Sequence, residues 1–436
     1  MNQIFVLCLI SFALSIEYSL GLVSIQAYWA DTGGSSSLSG LAFGIYNGLT
    51  IIFSPLLAWV IDNKIASYKS VYMLCILINV IGNCIYSFAH LANTWIMVLV
   101  GRGLAGIGAT CVPLLMMYIG DKIDEKDQQK TVGYVKYTAA FSGSAGAILG
   151  SFFSSCVGRT GLFNMFTLVG WIPMFLGTVT LVIVACWKET NIEREYAGNT
   201  TMSTWDIMKY FFPIWFLGFI STFIYWFYMG NAFILGTHFF HVINSPNELG
   251  YLYYSGLVAF GLSFVIFLFF KKSISNERGL LLSTIILVPT VFLFTIQHNF
   301  MYYVAVGATT FANGFMIPSI NYQNNVLAKN LKSVLKGKFG IMLISLSIVQ
   351  GLAQFVGPTL FSLTIHQDDD NNCKIDGDKY ETSGCKLENF FEIVMAYNLV
   401  SAILMIFSYY NFIKKITKSK TDPIIQPVLP SIQSTK

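Results

Sequence analysis

The chain of 436 residues is a series of long apolar runs separated by short polar segments. A membrane-spanning helix needs about 20 consecutive apolar residues to cross a hydrocarbon core about 30 Å thick. Twelve runs meet this requirement, and each predicts one membrane-spanning helix. Their approximate bounds are 3–28, 39–61, 70–90, 94–119, 132–157, 162–186, 207–232, 248–270, 279–297, 301–327, 338–364 and 388–413.

Composition agrees with this pattern, since 55% of the residues are hydrophobic and only 11% are charged. Soluble domains carry about 25% charged residues, and a chain with fewer charges would expose large apolar patches to water. We therefore predict an all-α integral membrane protein in contact with the lipid bilayer. The net charge is only +4 and the basic residues are dispersed, which disfavours nucleic-acid binding. The first run lacks a basic flank, so we expect a membrane helix and not a secretory signal.

The placement of Lys and Arg predicts the orientation. Most of the 26 basic residues fall on the side that holds both termini, and cytosolic loops are enriched in Lys and Arg. Both termini are therefore expected in the cytosol. The polar stretch 188–206 predicts a cytosolic linker that separates two six-helix bundles, 1–187 and 207–413, from each other, and 414–436 predicts a cytosolic tail.

Small residues at corresponding positions of the fifth and eleventh runs indicate pseudo-symmetry between the two bundles. Small side chains allow helices to approach closely in lipid, although each residue taken alone also fits ordinary packing. The matched residues are Gly143, Gly146 and Gly150 in the fifth run and Gly351, Gly357 and Pro358 in the eleventh.

Three local patterns resemble those of the major facilitator superfamily. Residues 58–64 lie where that family has its G-x-x-x-D-R-x-x-R/K loop, with the acid kept at Asp62 and Asn63 in place of Arg. Residues 102–108 match the R-x-x-x-G-x-G pattern of the fourth helix, with packing glycines at Gly106 and Gly108. The family's fifth-helix motif is matched only in part by this sequence. The resemblance implies two six-helix bundles and secondary transport of a small solute by alternating access.

Within that superfamily, three stretches resemble the lysosomal members associated with neuronal ceroid lipofuscinosis, a major facilitator domain-containing subfamily. These stretches are residues 54–57, 82–86 and 101–109. The resemblance implies a lysosomal or other endomembrane location in preference to the plasma membrane.

The resemblance also implies a conformational latch between the two halves, because the loop acid of the family holds them together in one alternating state. By this resemblance Asp62 is the first acid of the latch and Asp121 the second, with Lys130 as a basic partner. A carboxylate there can accept hydrogen bonds from free amides at a helix N-terminus. The alternative is that these residues are solvated loop charges.

Charged side chains deep in a membrane are costly and are functional hypotheses by default. Glu17 lies about 16 Å and Arg102 about 12 Å below the non-cytosolic ends of their helices, and the resemblance brings the first and fourth helices to one cavity. We predict that they form a coupled polar centre that transfers protons during transport, or else a buried ion pair that only holds helices together. Lys136 lies near the start of the fifth run, so its long side chain is expected to reach the cytosolic surface.

The second half carries charges only near its helix ends, so substrate contacts there are expected from amides, hydroxyls and aromatic rings. A polyanionic substrate would need more cations than this cavity offers. Hydrogen bonds between helices are the alternative role. The candidate cavity residues are Gln26, Tyr225, Trp226, Asn313, Gln350 and Gln354.

Signatures of soluble enzymes are missing from the sequence, so we expect no enzymatic activity and no cofactor. His238 and His241 are too few to predict a metal site. Cys373 and Cys385 lie in an acidic loop on the expected non-cytosolic side and predict a disulfide. We expect a monomer whose partners are a small-molecule or ion substrate and the bilayer.

Two alternatives to a proton-coupled transporter of a small solute stay open. The first is an anion-permeable channel on the same scaffold, in which Arg102 and Lys136 would attract the anion. The second is a membrane receptor or scaffold that transports nothing, which is consistent with the departure from the family pattern at Asn63.

Overall fold

The protein is described here by a computed structural model covering residues 2–34, 38–158, 160–189, 204–229, 235, 252, 255, 256, 258–263, 265, 266, 276–331 apart from 295 and 297, 339–364 and 390–419. Over these residues the chain is helical and contains no strand. The predicted linker, the loop with Cys373 and Cys385, the pair His238 and His241, and the tail beyond 419 lie outside the described residues.

The helices begin and end as follows: α1 Gln3–Asp31, α2 Ser39–Asp62, α3 Tyr68–Ala92, α4 Trp95–Gly108, α5 Cys111–Lys122, α6 Glu125–Cys156, α7 Leu168–Cys186, α8 Thr204–Met229, α9 Asn276–Leu293, α10 Asn299–Asn330, α11 Phe339–Thr364 and α12 Phe390–Ser419. Within the described residues, eight helical segments are long and apolar enough to cross a membrane, and α4 with α5 counts as one of them. The count of twelve membrane-spanning helices and the side of the termini stay predictions.

Side chains that accept hydrogen bonds from free backbone amides fix several helix starts. The Asn2 carboxamide accepts from the backbone N–H of Ile4 at 3.0 Å, which begins α1. The Ser67 hydroxyl accepts from the N–H of Ser70 at 3.2 Å, which begins α3. The predicted run 94–119 corresponds to one candidate membrane span, Trp95–Lys122, which contains a two-residue turn where α4 ends at Gly108 and α5 begins at Cys111.

Helices α1 to α7 pack on one another, chiefly α1 on α6 and α7, α3 on α4 and α7, and α2 on α4. We call them the first helix group. Helices α8 to α12 form the second helix group, in which α8 contacts α10, α11 and α12. The predicted boundaries of two six-helix domains stay a prediction.

The two groups meet along a seam where α2 and α11 run side by side in opposite directions. A Cβ added to Gly44 would lie 3.0 Å from Thr359 Oγ1, and one added to Gly351 would lie 3.1 Å from the Ile51 side chain. Farther along, Gly340 of α11 lies against Asp62 at the end of α2. We call this the Asp62 end of the seam.

The predicted packing residues differ in their surroundings. A Cβ on Gly106 would lie 2.2 Å from the backbone oxygen of Tyr46, and one on Gly108 would lie 2.4 Å from Asn79 Cβ. Gly146 is as tightly placed against α1, and Gly357 moderately so against α8. Gly150 and Pro358 are buried in α6 and α11. Gly143 is the exception, because no atom of another described helix lies within 4 Å of its added Cβ, so its packing role stays a prediction.

Candidate functional site

A cavity of about 410 Å³ lies between the two helix groups. Its walls come chiefly from α1, α2, α5 and α6 on one side and from α8, α10 and α11 on the other, together with Gly256 and Phe260. Five predicted cavity residues line it: Tyr225, Trp226, Asn313, Gln350 and Gln354. The side chain of the sixth, Gln26, lies outside the described residues.

Aromatic rings join the two sides of this cavity. The rings of Tyr18 and Trp226 meet edge to face with centroids 5.5 Å apart, and Tyr18 also contacts Tyr46 at 5.0 Å. The Asn47 carboxamide donates a hydrogen bond to the Tyr18 hydroxyl at 3.1 Å. Tyr225 stands at right angles to Trp226. The cavity therefore offers flat apolar surfaces with polar groups at their edges.

Two amides of the second helix group have buried atoms without a hydrogen-bond partner among the described residues. Asn313 donates to the backbone oxygen of Thr309 at 3.0 Å, while its own Oδ1 accepts nothing. The Nε2 of Gln350 is likewise without an acceptor. Because an unsatisfied buried polar atom costs free energy, both atoms are suited to a ligand.

The cavity also contains Lys136, and the prediction that this side chain reaches the cytosolic surface was wrong. Lys136, Ala140, Gly143 and Ala147 recur at helical spacing on one face of α6, and all four line the cavity. Among the described lining residues Lys136 is the sole charged side chain. It has no hydrogen bond or ion pair with any other described residue.

Glu17 and Arg102 meet in the interior of the first helix group. Arg102 Nη1 lies 3.2 Å from Glu17 Oε1, and the two residues are 4% and 1% exposed. Glu17 Oε2 accepts hydrogen bonds from Tyr46 and Asn79, both at 3.0 Å. Asn83 in turn donates to Asn79 Oδ1 at 3.1 Å. Three donors on one buried carboxylate stabilise its ionised form.

Glu17 itself is not among the described residues that line the cavity, but Tyr46 is. The Tyr46 ring lies beneath the Arg102 guanidinium, 4.7 Å from its Cζ, and its hydroxyl donates to Glu17. Tyr46 therefore contacts the ion pair and lines the cavity. The role of the pair in proton transfer stays a prediction.

At the Asp62 end, the carboxylate of Asp62 hydrogen-bonds the backbone N–H groups of Gly340 and Ile341. These are the first amides of α11, where the helix dipole favours a negative charge. The contact joins the last residue of α2 to the first turn of α11, and therefore one helix group to the other. Its role as a conformational latch stays a prediction.

The remaining latch residues differ from the expected arrangement. Asp121 Oδ2 lies 3.7 Å from Lys122 Nζ and accepts a long hydrogen bond from the Tyr68 hydroxyl. Lys130 is exposed and lies over the Tyr134 ring, 5.7 Å from its centroid. The proposed pairing of Asp121 with Lys130 was therefore wrong, because the neighbouring lysine occupies that position.

Among the described residues, neither a metal site nor a disulfide contributes to the candidate site. The described part of the chain holds no group of three or more His, Cys, Asp or Glu residues arranged for a metal ion. The six described cysteines are free thiols. The disulfide between Cys373 and Cys385 stays a prediction, since both residues lie outside the described part.

Sequence reasoning missed Tyr18, Tyr46 and Asn47 as cavity residues. All three are polar side chains within otherwise apolar helices, the same signal that identified the candidates in the second half. A search of both halves for polar side chains within apolar helices identifies Tyr18, Tyr46 and Asn47 as candidates.

Comparison with known proteins gives partial matches to curated relatives. An uncharacterized MFS-type transporter of Schizosaccharomyces pombe is 25% identical over 191 residues, 41% of this chain and 38% of the relative. The bacillibactin exporter of Bacillus subtilis is 31% identical over 96 residues, 21% of this chain and 23% of the exporter. The chain thus matches well under half of the length of these relatives.

Solved structures match over nearly the whole chain. The human organic anion transporter MFSD10 (TETRAN) aligns with a TM-score of 0.67 and 12% identity, covering 93% of this chain and 98% of that one. A bacterial homolog of the human lysosomal transporter Spinster aligns with a TM-score of 0.64 and 13% identity, covering 95% and 96%. At these identities the likeness shows the fold alone.

The family itself is defined by the sequence match. Residues 5–360 match the Major Facilitator Superfamily, which covers most of the chain, including the Asp62 loop, the Arg102 motif and nearly all the described cavity walls. This match, together with the helical fold and the cavity between two helix groups, indicates a multi-pass membrane transporter and not an enzyme. The chain therefore belongs to the Major Facilitator Superfamily.

Proposed function

We propose that the protein is a secondary active transporter that moves a small solute across an organelle membrane by alternating access, coupled to protons. The observation that carries this proposal is the cavity of about 410 Å³ whose walls come from both helix groups. A site between two bodies that rock against each other opens to either side in turn. We further propose that the transporter acts as a monomer.

The seam between α2 and α11 is where such rocking must act. Its contacts run from Gly44 beside Thr359 to Asp62 beside Gly340. At the Asp62 end, a carboxylate accepts hydrogen bonds at a helix N-terminus, beside apolar contacts of Gly340 with Met117 and of Leu343 with Gly120. We propose that this contact is the latch of one alternating state.

Proton coupling is proposed to act through Glu17. Its carboxylate is held by Arg102 and by the Tyr46 hydroxyl, and Tyr46 faces the cavity. A proton delivered to Glu17 from the cavity side would neutralise the carboxylate and weaken its attraction to Arg102. Arrival or loss of the proton would thus change how tightly α1, α2 and α4 are held together.

We propose a lysosomal or other endomembrane location. The support is the resemblance of residues 54–57, 82–86 and 101–109 to lysosomal members of the superfamily. A fluorescent fusion that follows a lysosomal marker supports this location, and one confined to the plasma membrane contradicts it.

A disulfide across the seam tests alternating access. The variant is Gly44→Cys with Thr359→Cys, because the Thr359 hydroxyl oxygen lies 3.0 Å from an added Gly44 Cβ. In a disulfide, the Cβ of one cysteine and the sulfur of the other lie at a similar distance. Proteoliposomes that hold this variant are incubated with a cell extract, oxidised or reduced, and the accumulated small molecules are compared. We expect at least one solute to accumulate only in the reduced vesicles.

The two single-cysteine variants are the controls, and their uptake should not respond to oxidation. A shift in gel mobility that dithiothreitol reverses verifies the crosslink. Uptake that continues unchanged in fully crosslinked protein contradicts alternating access and favours a channel on the same scaffold.

A further inference from the structure

Resting on the transport function proposed above, we propose that the cavity binds a small organic monoanion with an aromatic or aliphatic body, and that Lys136 selects its carboxylate. The inference concerns the class of substrate and the residue that discriminates it. It starts from the one charged side chain that the described cavity walls contain.

The first step is the isolation of the Lys136 charge. A charged group away from bulk water is costly unless an opposite charge or water compensates it. Glu17 meets this need for Arg102 at 3.2 Å. Lys136 has no such partner among the described residues and faces the cavity. An anionic group that enters the cavity supplies the missing partner.

The second step is the space beside Lys136. Ala140 and Gly143 follow on the same face of α6, and no atom of another described helix lies within 4 Å of a Cβ added to Gly143. Among the described residues, these small side chains leave space on the cavity face of α6 next to Lys136. A ligand in the cavity can occupy this space and reach the lysine.

The third step is the number of charges. The other described lining residues are apolar or neutral, with Tyr, Trp, Asn, Gln, Ser and Thr as the polar types. One cation compensates one anionic group, and a second carboxylate on the ligand would be buried without a counter-charge. The cavity therefore favours a monoanion over a dicarboxylate or a polyphosphate.

The fourth step is the body of the ligand. Trp226, Tyr18 and Tyr225 present ring surfaces, and Asn313 Oδ1 and Gln350 Nε2 are an acceptor and a donor without a hydrogen-bond partner among the described residues. A volume of about 410 Å³ lies in the range of pockets that enclose whole small ligands. These features together fit a flat or flexible apolar body that carries one carboxylate and a further polar group.

Binding to the purified full-length protein tests this inference without requiring transport. The probes are benzoate, 1-naphthoate, indole-3-acetate and octanoate, each compared with its neutral primary amide. Dissociation constants come from equilibrium dialysis and are checked by the rise in melting temperature that ligand binding causes. We expect at least one carboxylate to bind tenfold or more tightly than its amide.

The variant Lys136→Met keeps the length of the side chain and removes its charge. We expect it to weaken binding of that carboxylate at least tenfold and to change binding of the amide less than threefold. Lys136→Arg should retain the preference for the carboxylate. The matched control is Lys130→Met, which removes a charge from an exposed position of the same helix and should change neither constant.

A melting temperature without ligand verifies that each variant is folded. If Lys136→Met is unfolded, Gln350→Leu is used instead and should weaken carboxylate and amide binding alike while leaving their ratio intact. Equal affinity of the wild type for every carboxylate and its amide overturns the inference, as does a carboxylate preference that survives Lys136→Met. Neither result changes the outcome of the crosslinking test. Uptake that is blocked by the Gly44–Thr359 disulfide would then indicate a transporter of neutral solutes.

Discussion

Two charged regions of this protein differ in how their charges are compensated. In the first helix group, Glu17 and Arg102 pair at 3.2 Å, and the Glu17 carboxylate accepts further hydrogen bonds from Tyr46 and Asn79. At the cavity, Lys136 has no ion pair or hydrogen bond with another described residue. The charges of the first region are paired within the protein, whereas our proposal gives Lys136 an anionic ligand as its partner.

The difference indicates a division of labour. A carboxylate held by three donors is suited to hold helices together and to release them when it is protonated. A single uncovered ammonium is suited to attract and orient an anion. Changes to the first region should therefore alter stability and coupling, and changes to the second should alter recognition.

The largest expected effect is that of Arg102→Met. This change leaves the Glu17 carboxylate buried without its cation, and breaking a buried pair in this way costs about 3–5 kcal/mol. Titration with a denaturing detergent should show a lower free energy of unfolding for Arg102→Met than for the wild type.

The double variant Glu17→Gln with Arg102→Met removes both charges and is the control for that experiment. We expect it to recover much of the lost stability, because no uncompensated charge is left in the interior. An Arg102→Met protein as stable as the wild type would contradict the view that the pair is sealed from water.

The next largest effect compares two glycines, Gly106 against the Tyr46 backbone and Gly143 at the cavity. A Cβ in Gly106→Ala would lie 2.2 Å from the Tyr46 backbone oxygen, and overpacking of this kind costs about 1–3 kcal/mol. Gly143→Ala points into open space, so it should be neutral or slightly stabilising, since Ala favours a helix by up to about 1 kcal/mol over Gly. The same detergent titration measures both, and equal destabilisation by the two changes would refute the contrast.

A smaller effect is expected from Gly340→Ala at the Asp62 end. The added Cβ would lie 2.6 Å from Asp62 Oδ1 and 2.2 Å from Met117 Cε, which should favour separation of α2 from α11. In a Leu343→Cys background, where residue 343 is buried against Gly120, we expect maleimide labelling to become about tenfold faster, as a shift of about 1.4 kcal/mol gives.

Gly351→Ala is the matched control for that measurement. Gly351 lies on the same helix, and among the described residues its added Cβ would meet only the flexible Ile51 side chain, at 3.1 Å. Its labelling rate should stay within threefold of the parent. Similar acceleration by both variants would show that any added methyl on α11 opens the seam, and the specific role of the Asp62 end would be lost.

Sequence reasoning reached the helical membrane architecture because apolar runs of helix length leave few alternatives. Depth along a helix follows from counting residues, which placed Glu17 and Arg102 at similar levels. The face of a helix that meets a cavity depends on packing partners that the sequence does not specify. Lys136 was misplaced for this reason, since counting gave its distance from the helix end and not its direction.

The break between α4 and α5 escaped prediction for a related reason. Residues 94–119 are uniformly apolar, and periodicity alone does not locate an interruption in such a run. In the structure, Gly108 meets Asn79 and the Cys75 backbone of α3 just before the break. Likewise, the pairing of Asp121 depended on loop geometry, and the adjacent Lys122 took the place expected for Lys130.

The division of labour between the two charged regions is tested most directly by accumulation of a carboxylate against its gradient. Proteoliposomes receive a pH gradient of one unit in either direction, with the carboxylate that binds most tightly as the probe, and the wild type is compared with Glu17→Gln. A permeant weak acid already distributes with the pH gradient in protein-free liposomes, so accumulation is measured relative to them. We predict that the wild type concentrates the probe above the level of protein-free liposomes under one of the two gradients. Glu17→Gln should still bind the probe but should concentrate it no more than protein-free liposomes do. Accumulation by Glu17→Gln equal to that of the wild type would contradict the account.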